Sequence, residues 1–398
     1  MMLQGIKVLE YCHTVAGASC ARQLADLGAE VIKIEQPMVG DPSRKKGPFP
    51  RDIPDPEKSG LYLYVNRNKM GITLDPSIST GKEIFLELVQ KVDALIEDNS
   101  PAEMERMGLD SKTLSRLRPS IIITSITPFG QSGPYAEYKA YPLNVYQGGG
   151  VGHITPEGYQ DLDRPPLKQG KYVTEYHGGI GAAIITLGGL LHSKALGSGG
   201  HIDFSLQEWE MSLLKAKWEM FSYQGMTLAR NTVSRQGNAM TPCKDGYVII
   251  ILYEEHQWLR FVEVAEKEEW LLDERFTDPY ARAKHGAALN ALIADWAKDY
   301  TMAEIYHRCQ INGVPVGMVN RPADLYASQQ LRDRRFFVEM DHPVAGRLRY
   351  PGTPYTLSGI RLTHTPAPTL GQHNEEIYCG RLGFTKEDLV TMRQASVI

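Results

Sequence analysis

The feature that most constrains this chain is the alternation of two hydrophobic periods along its first 130 residues. Ile6–Glu10 (IKVLE), Glu30–Glu35 (EVIKIE), Ala94–Glu97 and Ile121–Ile126 (IIITSI) are short apolar runs of strand length. Between them lie stretches of helical spacing: Gly17–Leu27, with Gly28 as its stop, then Thr80–Lys91, Pro101–Met107 and Ser111–Leu117. Strands separated by helices require right-handed crossovers, and therefore a mostly parallel, doubly wound sheet. Such a sheet opens a ligand crevice at the carboxyl ends of its strands.

Composition narrows the function classes. The 398 residues carry 43 Lys+Arg against 47 Asp+Glu, so the formal charge is −4, without the basic excess of a general nucleic-acid binder. An anionic ligand would have to be met by local cations or helix N-termini. Cys12, Cys20, Cys243, Cys309 and Cys379 show no CxxC spacing, which points to a reducing compartment and to no structural zinc. The opening MMLQGIKVLEY lacks the apolar core of a signal peptide. The most apolar stretch, Gly178–Leu191, is shorter than the roughly 20 residues a membrane span needs. The expectation is a soluble, cytoplasmic protein that engages neither membrane nor nucleic acid.

After the Gly148–Gly150 run and the loop-rich Pro156–Pro166, Ser198–Gly200 marks a turn and His201–Phe204 reads as a strand. Gln207–Phe221 reads as one long helix crossing between lobes. A second, α+β lobe follows, with a strand at Tyr247–Leu252, helices at His256–Glu266 and Ala287–Asp299, and Gly313–Val319. A helix at Lys386–Arg393 closes the chain. The segments Gln147–Gly152 and Arg235–Pro242 are expected to shape a substrate pocket, the second as a lid.

Familiar motifs are informative by their failure. The turn after the first strand, Tyr11 to Gly17, has a single glycine, which disfavours a dinucleotide fingerprint. Thr80-Gly81-Lys82 is not a phosphate loop, because Pro76 occupies the first glycine position. Neither GxSxG nor HExxH occurs, and the histidines are scattered. One segment, Lys171 to Gly181, sets a lone carboxylate, Glu175, just before a glycine-rich helix start. Glu175 then reads in two ways: a covalent nucleophile flanked by amide donors around Gly178 and Gly179, or a first-turn acid favoured by the helix dipole.

Six further segments, in order, resemble the class III coenzyme A transferases (the CaiB/BaiF family). They are Leu3–Glu10; Ala25–Glu35 with Gly40-Asp41 and Arg44; Asn66–Lys69 with Ile72–Asp75; Phe129–Tyr135; Gly313–Asn320; and Ala367–Asn374. The resemblance implies an α/β fold with a Rossmann-like large domain (residues 1–200 and 331–398), a linker helix (201–224) and a smaller α+β domain (225–330). It also implies an interlocked homodimer. Glu175 falls on the family's catalytic carboxylate, where most members carry Asp. His13, Val15, Ala16, Gln36, Leu74, Asp98, Asn99 and Arg106 fall on coenzyme-contact positions. Gln36 stands where several members place Arg, and Asp98-Asn99-Ser100 departs from their Asn-Phe-Arg. His13 is alternatively a turn histidine, Arg44 either a surface ion pair or a phosphate contact, and Lys69 equally open.

The activity implied is transfer of coenzyme A from an acyl-CoA to a carboxylic acid through an anhydride and then a thioester on Glu175, with no metal and no tightly bound cofactor. Two alternatives are an acyl-CoA racemase or isomerase of the same family and an inactive CoA-binding homologue. The racemases carry His-Asp where this chain has Tyr141-Pro142, so their proton shuttle would lack one side.

Overall fold

Both parities of each N-terminal strand are apolar because alternate residues face opposite sides of a sheet covered by helices on both faces. The computed structural model describes residues 1–156, 162–214, 217–230, 240–360 and 362–398. They form two units: Met1–Thr155, Pro166–Thr227 and Arg335–Ile398 make the first, and Pro156–Pro165 with Leu228–Arg334 the second.

In the first unit, strands β1 (Lys7–Tyr11), β2 (Glu30–Glu35), β3 (Lys69–Thr73), β4 (Ala94–Glu97), β5 (Ile122–Thr127) and β6 (Gly200–Ser205) lie in the order β3-β2-β1-β4-β5-β6. Every pairing is parallel. Its helices include α1 (Val15–Asp26), α2 (Gly60–Val65), α3 (Ser79–Gln90), α4 (Pro101–Met107), α5 (Ser111–Leu117), α6 (Pro142–Gly148), α7 (Val173–Leu196), α8 (Leu206–Ser212) and α9 (Lys217–Gln224), and the helix expected near the C-terminus is present at Lys386–Gln394. Val8, Val31, Ala94 and Ile122 pack against α1 and α7. Their neighbours Leu9, Ile32, Leu95 and Ile123 pack on the other face against α3, α4 and α5.

Three expectations need correction. Residues 201–224 do not begin as a linker helix, because the alternating HIDFS run adds the sixth strand, and the Ser205 hydroxyl then caps α8 by accepting from Glu208 N–H at 3.3 Å. The long helix expected over Gln207–Phe221 is two, α8 and α9, with residues 215–216 outside the described set. The apolar stretch Gly178–Leu191 belongs to a 24-residue helix, α7, long and apolar enough to cross a bilayer by length and composition. Of the pocket segments, 235–239 lie outside the described residues, and Met240–Pro242 belongs to a strand.

Strand β3 escapes the periodicity analysis because its apolar pattern is broken by Lys69 and Gly71, and both are explained only by distant partners. Lys69 is ion-paired inside the unit, and a Cβ on Gly71 would lie 2.8 Å from Pro368. The far edge of β3 is covered by the C-terminal segment: Gly71 N–H donates to His373 Nδ1 at 3.0 Å and Thr73 N–H to Asn374 Oδ1 at 3.0 Å. Covering an edge removes its unpaired donors from aggregation.

The second unit is an antiparallel sheet of β7 (Met240–Cys243), β8 (Gly246–Ile250) and β9 (Val316–Met318), with helices that include α10 (Glu255–Ala265), α11 (Pro279–Lys284), α12 (Gly286–Ala297) and α13 (Met302–Ile311). Val248, Ile250, Trp258, Phe261, Ile293, Trp296 and Ile305 form its core.

Candidate active site

Strands β1 and β4 are neighbours, but the chain leaves them in opposite directions across the sheet, so a crevice must open between their carboxyl ends. From β1 the chain turns through Cys12–Thr14 into α1, where Thr14 is the N-cap and its hydroxyl accepts from Gly17 N–H at 3.3 Å. Asp98, just after β4, reaches across and grips this turn. It accepts from His13 N–H at 2.7 Å, from Thr14 N–H at 2.8 Å and from the Thr14 hydroxyl at 2.6 Å. Burial raises the Asp98 carboxyl above its usual range, against the pull of His13 and these hydrogen bonds.

A buried ion network supports the same turn from beneath, on the α1 face of the sheet. Lys33 pairs with Glu10 at 2.8 Å and Asp41 at 2.7 Å, and Lys69 pairs with Glu10 at 2.7 Å. The two ammonium groups also donate to Cys12 O (3.3 Å) and Ala18 O (2.9 Å), on either side of the turn. Burial alone would strip the Lys33 proton, but Asp41, Glu10 and Glu35 outweigh it and raise its pKa well above the ordinary lysine value. The segments around Glu10, Lys33, Asp41 and Lys69 thus encode a platform for the turn. Arg44 is neither a surface ion pair nor a phosphate contact: it is 1% exposed, donates to Glu35 Oε2 at 2.6 Å, and stacks its guanidinium over Tyr62.

Glu175 lies in the first turn of α7 and is 7% exposed. Its carboxyl feels the backbone N–H of Val15, so it sits near the amino end of α1 as well as of its own helix. Burial pushes its pKa up to about 7, against Lys46, the Val15 N–H and Lys168. Its Oε2 is buried with no hydrogen-bond partner among the described residues. Such an oxygen is poorly solvated and available to attack.

The glycines that follow do not act as expected. Gly178 and Gly179 are interior to α7, where their N–H groups serve the helix ladder, so they are not free oxyanion donors. Their role is steric: a Cβ on Gly179 would lie 2.7 Å from Ala16 O and from Ser19 Cβ. Bare backbone there lets α7 press against α1, which is how Glu175 reaches Val15.

Glu175 lines a cavity of about 490 Å³, within the size of small-molecule sites. The walls include Thr14, Asp98, Asn99, Tyr138, Lys139 and Tyr141. Of the residues expected from sequence, Asp98 and Asn99 line this cavity with Glu175, while His13, Val15 and Ala16 form the turn and helix start beside it. Gln36, Leu74 and Arg106 do not line it. Gln36 donates to Asp75 at 3.2 Å, Leu74 is fully buried in the opposite core, and Arg106 is exposed on α4. Tyr141 and Pro142 line the cavity, and among the described residues no histidine does.

Sequence reasoning missed Lys139, Glu103 and Glu210. Lys139 is an exposed cation on the cavity wall, in the aromatic stretch after Phe129–Tyr135. Glu210, on α8, is a second buried carboxyl raised by burial against His177, the Thr174 hydroxyl and Lys168. It packs beside Gly149, which lacks the Cβ that would strike it, and does not line the cavity.

Comparison with known proteins decides the family: the sequence model of CoA-transferase family III matches residues 3–374. The chain belongs to CoA-transferase family III. Formyl-CoA:oxalate CoA-transferase of Streptomyces coelicolor is 29% identical over 100% of this chain and 99% of its own. Succinate–glutarate CoA-transferase of Agrobacterium fabrum is 29% identical over 94% of both chains. A crystal structure of a CaiB/BaiF family protein from Brucella suis superposes with a TM-score of 0.84 at 29% identity, covering 95% of this chain and 98% of that one. As a family III CoA-transferase, the protein is an enzyme that moves coenzyme A between acids, and a buried carboxylate beside a crevice is a group able to accept an acyl chain.

Proposed function

We propose that Glu175 carries the transfer covalently. Its carboxylate oxygen attacks the thioester carbonyl of the donor, the C–S bond breaks, and CoA leaves as thiolate with a mixed anhydride on Glu175. The thiolate then attacks the glutamyl carbonyl, releasing the donor acid and leaving a Glu175 thioester. The acceptor carboxylate displaces the thiolate to form a second anhydride, and the thiolate attacks the acceptor acyl carbon to give the new acyl-CoA and free Glu175. No proton is gained or lost overall.

The observation that carries this reading is the unpartnered, buried Oε2 of Glu175 beside the cavity. The amide donor beside it is Val15 N–H at the positive end of α1, suited to developing negative charge. Lys139 is the cation on the wall suited to the coenzyme's phosphates. The acids named for the relatives, oxalate, succinate and glutarate, are short dicarboxylates, and acceptors of this kind are the first to test.

The strand order supports a Rossmann-like large domain. A homodimer is supported by α7: Ile180, Ile184, Leu191 and Leu196 are exposed on it, apolar surface that a second copy would cover. The interlocked form and a cytoplasmic location, the latter consistent with five unpaired cysteines, complete the proposal.

Incubation with acyl-CoA followed by hydroxylamine should leave a hydroxamate at Glu175 detectable by mass spectrometry, absent in Glu175→Ala. Exchange of the α-hydrogen with deuterated water and no adduct would instead identify a racemase, and neither signal a binding protein.

A further inference from the structure

Strand β5 ends in a hydroxyl that bonds to nothing around it. The strand carries three hydroxyl side chains, and two of them are employed. Thr124 Oγ1 and Thr186 Oγ1 share a hydrogen bond at 2.8 Å, and Ser125 Oγ lies 3.0 Å from His201 Nε2. Thr127, at the carboxyl end, is 2% exposed, and its Oγ1 is buried without a hydrogen-bond partner among the described residues. An unpaired hydroxyl in a dry place costs free energy, and valine would fill the same space without that cost. Stability does not account for a threonine here.

Thr127 lines the same cavity as Glu175. The end of β5 and the first turns of α7 meet through the end of β6. Thr127 pairs with Ser205, and the next residue, Leu206, is also on the cavity wall. Leu206 packs so closely on α7 that a Cβ on Gly178, one turn after Glu175, would lie 2.2 Å from its Cδ2. The cavity therefore has two buried, unpartnered polar atoms on its wall: the acceptor Glu175 Oε2 and the donor Thr127 Oγ1.

Every step of the transfer is an attack on a carbonyl carbon, which moves negative charge onto the acyl oxygen and calls for a donor there. The amides of Gly178 and Gly179 are spent in the α7 ladder. The Thr14 hydroxyl donates to Asp98 at 2.6 Å. The side-chain amide of Asn99 donates to Tyr11 O and to Glu97 Oε2, each at 3.3 Å. Thr174, the other threonine on this wall without a hydrogen bond at Oγ1, faces the carboxyl of Glu210. The proton of Thr127 is free for a ligand.

We propose that Thr127 is a catalytic residue whose hydroxyl donates a hydrogen bond to the acyl oxygen while the carbonyl is under attack. The inference rests on the transferase reading above and adds to it a donor for the oxyanion. No bond to Thr127 forms or breaks, and its proton stays on Oγ1 throughout. Because the bond strengthens as charge develops, it acts on kcat more than on KM.

The test uses the full chain at pH 8.5, with an acyl-CoA that labels wild-type Glu175 and a saturating short dicarboxylate acceptor. Thr127→Val keeps the shape and removes the hydroxyl; it should lose on the order of 100-fold in kcat with KM for acyl-CoA nearly unmoved. Thr127→Ser should keep most of the rate, and Thr174→Val should lose far less than Thr127→Val. In urea, Thr127→Val should unfold at the wild-type midpoint or above it, because the lost hydroxyl had no partner in the fold. An unchanged kcat in Thr127→Val, a loss confined to KM, equal losses in the Val and Ser variants, or a larger loss in Thr174→Val overturns the assignment. A lower unfolding midpoint for Thr127→Val also overturns it, by showing that the hydroxyl is structural. The hydroxylamine adduct of the wild type separates the two levels. Its absence with every acyl-CoA tried defeats the transferase reading itself, whereas its presence with an unmoved kcat in Thr127→Val defeats only the role of Thr127.

Discussion

Replacing Glu175 by Gln should make the protein more stable in alkaline solution while abolishing transfer. The carboxyl titrates at 4.5 when free and at about 7 in the fold, because burial outweighs Lys46 and the Val15 N–H. A carboxyl raised in the fold favours folding in its protonated form. Below pH 4.5 both states carry the proton and nothing is lost. Between 4.5 and 7 the unfolded chain ionises first, and stability falls as pH rises. At about 1.4 kcal/mol per pH unit, the loss reaches roughly 1 kcal/mol at pH 5 and levels off near 3 kcal/mol above pH 8. Gln is uncharged at every pH and keeps the size and shape of Glu. Urea unfolding should therefore show Glu175→Gln more stable than wild type by about 3 kcal/mol at pH 8.5 and by about 1 kcal/mol at pH 5. Equal gains at both pH values, or none at pH 8.5, would refute the claim that this acid is held ionised against its surroundings. The same variant should form no hydroxamate.

Three further outcomes follow from the geometry. With wild-type enzyme, kcat/KM for acyl-CoA should fall below about pH 7 with unit slope, because only ionised Glu175 attacks; a flat profile from pH 5 to 8 would contradict it. Gly179→Ala should cost roughly 1–3 kcal/mol and most of the activity, because the new methyl meets Ala16 O and Ser19 at 2.7 Å; thermal denaturation and turnover measure the two effects. Lys33→Met should destabilise by roughly 3–5 kcal/mol, since Asp41 loses its cation and Glu10 keeps only Lys69 inside the fold; an unfolding midpoint close to wild type would show that the network is dispensable.

Strand and helix positions in the first unit were legible because periodicity is local. The short apolar run within Glu30–Glu35, or the apolar spacing of α3, can be read without knowing what lies opposite. Glu175 was legible as well, as a carboxylate before a run of glycines. Its environment was not. The reading of Gly178 and Gly179 as amide donors failed because helix α7 begins earlier, at Val173, and so consumes those N–H groups. The coenzyme positions divided on the same ground: Asp98 and Asn99 meet the cavity because β4 neighbours β1, while Leu74, just after β3, is buried in the other core.

Hydrophobic order along the chain was enough to dictate a parallel sheet with helices on both faces, and so a crevice at its carboxyl edge. The charges were settled only by folding. Glu10, Lys33, Asp41 and Lys69 are scattered in sequence, yet they share one dry enclosure, and Asp98 closes on a turn more than 80 residues away. Burial and distance set the energy of a charge, and neither is a property of neighbouring letters. That is why the acidity of Glu175 emerges only once α7, α1 and the loop carrying Lys46 are in place.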